Sequence, residues 1–394
     1  MEITSLADAF FSATMPNLAQ YDSLAGGALV RGLDAFTAKD YGTAVREFRR
    51  TIALSPGSDN ARKAFDYLAS AQVKDGKTID AVSTYQQAIK AFPTDDSVNL
   101  KLGNLYFSDG KYSEALEQYS IAVKKNPTTS QNFYSLGQGY LALGQYNDAE
   151  EQFKKVIQML PRDSGGYYAL GQTYRMAGKY DEAQEQLDTA LNIKQDFSDA
   201  HFELGMVFAE LHEIDKAKDE LDILNEDAPE LVSELQDKIL EKTPPRFLSA
   251  YAATINLTST PGRLVSTLDA SLATPLATKT FTVDFVFDKT MDPASIQNTN
   301  NWSISRSNSM STGGLYNWGI PTPTTEVSIA PMPICVTFRP DIATATVTFA
   351  ITQNSTGDGT IDLSHILFKF KGVDVDGNSM DASRDEYSGF SKIV

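Results

Sequence analysis

Cysteine is nearly absent: Cys335 is the single one in 394 residues. No disulfide can close within the chain, which excludes a small stapled secreted domain but leaves cysteine-poor bacterial surface proteins open. No apolar run approaches the roughly 20 residues a membrane span requires, so no transmembrane segment is expected. The opening "MEITSLADAFFSATMPNL" has an acidic residue where a signal peptide carries basic ones. Either that export route is not used or a leader was removed. Basic side chains are also scarce, 34 against 51 acidic, for a net charge of −17. From Arg246 onward there are 10 basic and 13 acidic residues, so the preceding part carries −14. Such a surface repels phosphate backbones, and nucleic acid is not an expected partner.

What is present is a period. "LGNLYFSDGKYSEALEQY" from Leu102 is followed by related stretches from Leu136, Leu170 and Leu204, each 34 residues on. Upstream, Ala81, Tyr85, Ala88 and Pro93 match Ala115, Tyr119, Ala122 and Pro127. Ala44, Phe48 and Pro56 continue the frame 37 residues earlier, so six units result. A fixed period of this length signals a solenoid. The Leu-Gly pair, an aromatic three residues on, a small alanine, a following aromatic or leucine and a closing proline resemble the tetratricopeptide repeat (TPR) family over about residues 27–230. The resemblance implies two antiparallel helices per unit.

The glycines within "LGQGYLALGQYNDAEEQF" fit that pattern. Gly137 is expected where the two helices cross closely, opposite Ala149. Gly144 is expected at the turn, where a positive φ is wanted, and Pro161 ends the second helix. Gly139 has no role in the pattern. "ELVSELQDKILEK" from Glu230 spaces Leu231, Leu235, Ile239 and Leu240 as a helix would and reads as a C-terminal cap on the solenoid. "TPPRF" then starts a linker. Residues 1–26, with Leu6, Phe10, Phe11 and Met15, read as an N-terminal capping helix or as an arm that docks on another copy.

After Phe247 the pattern alternates. "KTFTVDFVF" puts Phe281, Val283, Phe285 and Phe287 on one face, and "ATVTFAIT" and "HILFKFKGVDV" behave likewise. With "YAATINL", "NWSIS", "TEVSI" and "ICVTF" this predicts seven or eight strands and an antiparallel β-sandwich over 247–394. In "VDFVFDKTMDPASI", Asp292 and Pro293 suit the N-cap and first position of a helical turn, with Met291 inward. This turn and the late "GVDVDGNSMD" resemble the bacterial immunoglobulin-like domain of S-layer and other surface proteins. The insert "SNSMSTGGLYNWGIPTPTT" reads as a protruding loop. The expected architecture is therefore multidomain: an all-α solenoid of six helix pairs plus a capping helix over 27–243, then an all-β immunoglobulin-like sandwich.

No catalytic constellation emerges, and neither cofactor nor metal is expected. His201, His212 and His365 lack metal-ligand spacing. "DGKT" at Asp75–Thr78 has Ala71 where a phosphate loop needs glycine and falls at an inter-helix turn. Asp374, Asp376, Asn378 and Asp381 offer oxygens at alternate positions. They lack the calcium-loop glycine and glutamate, and a hairpin turn accounts for the same residues; both readings stay open.

The functional candidate comes from the TPR resemblance, which implies that the first helix of each unit lines a concave groove. Its fifth position gives Asp66, Leu100, Tyr134, Tyr168 and Phe202. Its ninth gives Ser70, Asn104, Gln138, Gln172 and Met206, and its twelfth includes Phe107, Leu141 and Arg175. Rings and amides in parallel rows suit an extended peptide. Lysine is missing where the family's carboxylate-clamp version needs it. The expected function is a non-catalytic interaction scaffold at a bacterial envelope or surface, with a cytoplasmic location as the alternative. Its partner would be a protein or peptide, or another copy of the chain. The alternative function is a structural subunit that self-assembles into a filament or layer.

Overall fold

The computed structural model describes residues 3–252, 254, 262–308 and 314–388, with side chains from 18 onward. The chain divides into two compact units: residues 1–211 with 219–232, and 212–218 with 233–394.

The first unit is built from helices in antiparallel succession. They are α1 (Ile3–Thr37), α2 (Tyr41–Leu54), α3 (Asp59–Lys74), α4 (Thr78–Ala91), α5 (Asp96–Ser108), α6 (Tyr112–Lys125), α7 (Ser130–Ala142), α8 (Tyr146–Met159), α9 (Ser164–Met176), α10 (Tyr180–Ile193), α11 (Ser198–Glu210) and α12 (Ile214–Asp227), with α13 (Pro229–Lys242) following. Six helix pairs and a thirteenth helix are what the 34-residue period predicts. The division expected at residue 26 falls inside α1, which is continuous from Ile3. Leu6, Phe10, Phe11 and Met15 lie outside the described side chains. Leu235 and Ile239 of α13 are buried and Leu240 is exposed; from Ser233 on, this helix groups with the second unit.

The turn within each pair is fixed by one left-handed residue. Gly76, Gly110, Gly144 and Gly178 have φ of +70° to +77°, and Lys39 and His212 take the same place in the outer units at 59° and 60°. "DGKT" is such a turn, with the Lys77 amide donating to the Gln72 carbonyl. Gly137 does face the second helix of its unit closely, but what it makes room for is a ring rather than a second backbone. A Cβ there would stand 2.6 Å from Phe153 Cε1. Gly32 under Phe48, Gly103 under Tyr119 and Gly171 under Leu187 repeat the relationship. Gly139 also gains an account: its Cβ would meet Leu116 and Tyr119 at 3.1 and 3.3 Å, so it lets α7 press on α6 of the preceding unit.

Among its described residues the second unit holds nine strands: β1 (Phe247–Tyr251), β2 (Arg263–Leu264), β3 (Thr278–Phe287), β4 (Trp302–Arg306), β5 (Cys335–Arg339), β6 (Thr344–Thr352), β7 (Thr360–Ile361), β8 (Ile366–Phe370) and β9 (Glu386–Tyr387). They pair antiparallel in three sheets, ordered β1-β3-β6-β5, β4-β8-β9 and β2-β7. The two larger sheets share one core. Phe281, Val283, Phe285 and Phe287 of β3 are all buried, as their alternation predicts, and the rings of Phe285 and Phe349 stand 5.2 and 5.6 Å from that of Phe368 on β8. Asp292 caps the short helix α14 (Pro293–Gln297), accepting from the Ala294 and Ser295 amides, and Met291 is fully buried.

"TEVSI" is not a strand. Only Glu326 and Ile329 bridge, to Thr360 and Ile351, because the prolines around it interrupt the ladder. Much of "YAATINL" and part of the 307–325 insert lie outside the described residues.

Candidate functional site

The candidate groove residues sit on first helices. Leu100, Asn104 and Phe107 are on α5; Tyr134, Gln138 and Leu141 on α7; Tyr168, Gln172 and Arg175 on α9; Phe202 and Met206 on α11. Several first helices approach one another directly (α1–α3, α5–α7, α7–α9 and α9–α11), which places them on the inner side of the stack. Asn104 is exposed, whereas Leu100, Phe107, Tyr134, Gln138, Tyr168, Gln172, Arg175 and Phe202 are half-buried. Leu141 and Met206 are buried. They build the wall beneath the groove instead of offering a contact.

The polar groups are already partly engaged. The Tyr119 hydroxyl donates to Asn104 Oδ1 at 2.8 Å, and burial pushes the Tyr119 phenol up to about 12. The Lys101 ammonium bonds Asp66 at 2.5 Å, tying the second and third units together. At the other end Glu203 is almost fully buried. It accepts from Gln172 Nε2 at 2.7 Å and from the Arg175 guanidinium Nε. The Lys101–Asp66 and Arg175–Glu203 pairs therefore each join neighbouring units, and between them the Asp163 and Asp199 carboxylates act on Tyr134. Burial, with the Glu203 carboxylate next in effect, holds the Tyr168 phenol above its ordinary value. Tyr134 is raised by burial, opposed by its Gln138 bond, with the Asp163 and Asp199 carboxylates adding to the rise.

Glu203 is the participant the residue pattern does not flag. The signal available was an acidic residue at a place in the frame that holds Ala169, Ser135 and Lys101 in the preceding units.

The remaining motifs have structural partners. His201 lies between Glu220 Oε2 at 2.6 Å and the Gln195 carbonyl at 2.9 Å, fastening α11 to α12. His365 Nδ1 is 2.8 Å from buried Asp362. Asp374 takes the Asp376 and Asn378 amides at 3.0 and 2.8 Å and the Lys289 ammonium at 2.5 Å. That ammonium also donates to the Thr243 carbonyl at 2.9 Å. Among the described residues, no group of three or more His, Cys, Asp and Glu side chains is disposed to hold a metal, and no helix is long and apolar enough to cross a membrane.

Family models match in the helical unit: a TPR repeat over residues 103–144 and a tetratricopeptide repeat over 140–201. These residues carry tetratricopeptide repeats, and the helical part is a solenoid of that type. Solved structures with a similar fold include MamA, at 21% identity over 44% of this chain and 92% of that one, with a TM-score of 0.38. Another is pilF of Pseudomonas aeruginosa, at 17% identity over 56% and 99%, TM-score 0.45. A third is YrrB, described as a TPR protein with an unusual peptide-binding site, at 19% identity over 48% and 97%, TM-score 0.39. No curated protein matches the sequence.

Proposed function

We propose that the protein is a non-catalytic scaffold whose helical unit holds an extended polypeptide segment along its first helices. The observation that carries this reading is the row of half-buried Leu100, Tyr134, Tyr168 and Phe202, flanked by the amides of Asn104 and Gln138. Rings and aliphatic groups grip side chains while amides pair with a peptide backbone. The second unit would serve as an immunoglobulin-like module addressing the assembly to a bacterial envelope or surface; the Met291-Asp292-Pro293 turn supports that assignment.

The test is selection of random twelve-residue peptides on the immobilised full chain. Peptides retained by the groove lose at least tenfold in affinity with Tyr168→Ala and Phe202→Ala, as anchors worth about 2 kcal/mol require. Peptides that ignore both substitutions, or no retained peptide at all, would remove this reading.

Self-assembly is a second reading with its own support. The 35 residues of α1 pair with an α2 of only 14, and Leu18 and Tyr21 on the excess length are exposed. The excess would dock on another copy. Sedimentation of the full chain and of a chain lacking residues 1–20 decides it: a monomer in both at micromolar concentration excludes the idea.

A further inference from the structure

The junction between the third and fourth units carries a hydrogen-bonded pair that the next junction lacks. Between the third and fourth units, Asn132 of α7 reaches back across the junction. Its Nδ2 donates to Asp96 Oδ2 at 2.7 Å and to the Ala122 and Asn126 carbonyls at the end of α6, at 3.3 and 3.2 Å. Moving 34 residues on, Asp96 becomes Ser130, Ala122 becomes Val156, Asn126 becomes Leu160 and Asn132 becomes Gly166. Both members of the hydrogen-bonded pair are replaced by small residues. Those four positions, with Tyr134 and Asp163, line a pocket of about 210 Å³ between α7 and α9.

The next junction shows a different filling. Asp163 becomes Phe197 and Leu160 becomes Lys194. The ammonium of Lys194 stands 4.8 Å from the Phe197 ring centre, and that ring lies 4.9 Å from Tyr168, the counterpart of Tyr134. On either side, then, a nitrogen of the chain itself stands near the corresponding place: the buried Asn132 amide before, and after it the exposed Lys194 ammonium over the Phe197 ring.

Resting on the groove reading above, we propose that the pocket at the junction of the fourth and fifth units takes a lysine or arginine side chain of the bound polypeptide. The aliphatic stem would lie on Val156, Leu160 and the Tyr134 ring, and the cationic head would meet the Asp163 carboxylate. Asp163 Oδ1 accepts the Gly165 amide at 2.7 Å and so holds the carboxylate at the pocket wall. Charge favours a cation over the neutral amide of the preceding junction, because the part of the chain before Arg246 carries −14 and a second carboxylate, Asp199, acts on the Tyr134 hydroxyl.

The test uses small probes on the full chain with the Val156 and Leu160 methyl groups labelled for NMR. Nα-acetyl-lysine methylamide and its arginine analogue are titrated to millimolar concentration beside the glutamine and norleucine analogues. The basic probes shift these methyl signals with at least tenfold tighter binding than the neutral ones. Asp163→Asn, which keeps the helix cap, weakens them at least fivefold. The double variant Ser130→Asp with Gly166→Asn, which copies the Asp96–Asn132 pair and fills the pocket, abolishes the shifts; its thermal unfolding midpoint reports that it has folded. Equal binding of the glutamine probe, or unchanged binding in both variants, overturns the proposal. Failure here is separable from failure of the groove. Selected peptides that depend on Tyr168 but ignore the filled pocket discard only the basic-residue assignment, whereas the absence of any selected peptide counts against the groove.

Discussion

Gly137 lies beneath the ring of Phe153: a carbon added to the glycine would stand 2.6 Å from Cε1. Gly137→Ala therefore forces α7 from α8 or turns the ring, and should destabilise the helical unit by about 1–3 kcal/mol. Urea unfolding followed by circular dichroism measures it. Gly57, where an added carbon has open space and φ is not positive, is the control: Gly57→Ala should leave the midpoint within about 0.5 kcal/mol.

Glu203 is almost fully buried and takes both Gln172 and Arg175. Glu203→Ala leaves the guanidinium without its partner, and a loss of about 2–4 kcal/mol is expected, discounted from the fully buried case because Arg175 keeps some access to water. Arg175→Met with Glu203→Leu should recover most of the loss. A double variant no more stable than Glu203→Ala would mean that packing rather than charge sets the cost.

Asp374 makes acid stability depend on one lysine. Burial alone would raise its carboxyl, but the Lys289 ammonium and the Asn378 donors outweigh it and hold it below the usual range. A depressed carboxyl contributes stability above its unfolded value of about 3.9 and loses it as pH falls through the folded value. The second unit should therefore weaken below about pH 4. Lys289→Met should remove this protection and cost about 2–4 kcal/mol at pH 7. Thermal unfolding of the variant between pH 3 and 7, with near-ultraviolet dichroism of the aromatic core as probe, tests both statements.

Tyr85 and Tyr119 answer to base. Burial is the chief cause that pushes both phenols up to about 12. Their folded protonated forms are favoured, so the helical unit is unaffected below the unfolded value of about 10 and loses stability as pH rises from there toward 12. Absorbance at 295 nm should show a late-titrating group of tyrosines, in which Tyr168 and Tyr134 join these two, and Tyr119→Phe should lower the amplitude of that group by one tyrosine. Titration of every tyrosine near pH 10 in the folded protein would contradict the assignment.

The helical architecture was legible because its causes are local and repeated. Gly144 and Pro161 announce a turn and a helix end wherever the frame falls, and Phe281 to Phe287 announce a one-sided strand by alternation alone. Contacts between distant positions were less so. The frame holds both Gly137 and Phe153 at a spacing that recurs in other units, but spacing alone does not say that the ring lies on the glycine; only the packing of the two helices shows it. Gly139 presses on the preceding unit, which a single-unit pattern does not describe. Glu203 and Lys289 look like surface charges in sequence; only the fold brings each to a partner. Among the groove positions, Leu141 and Met206 share the spacing of their neighbours yet turn into the wall, because a helix face three residues wide includes its own flank.

Six left-handed residues, from Lys39 to His212, close the turns of the six helix pairs. Leu100, Tyr134, Tyr168 and Phe202 recur at 34-residue intervals on successive first helices, so on the proposed groove a guest would meet a ruler with repeated graduations. What the scaffold can measure is the interval between anchors on its guest, and a guest whose anchors are unevenly placed would engage one graduation at a time.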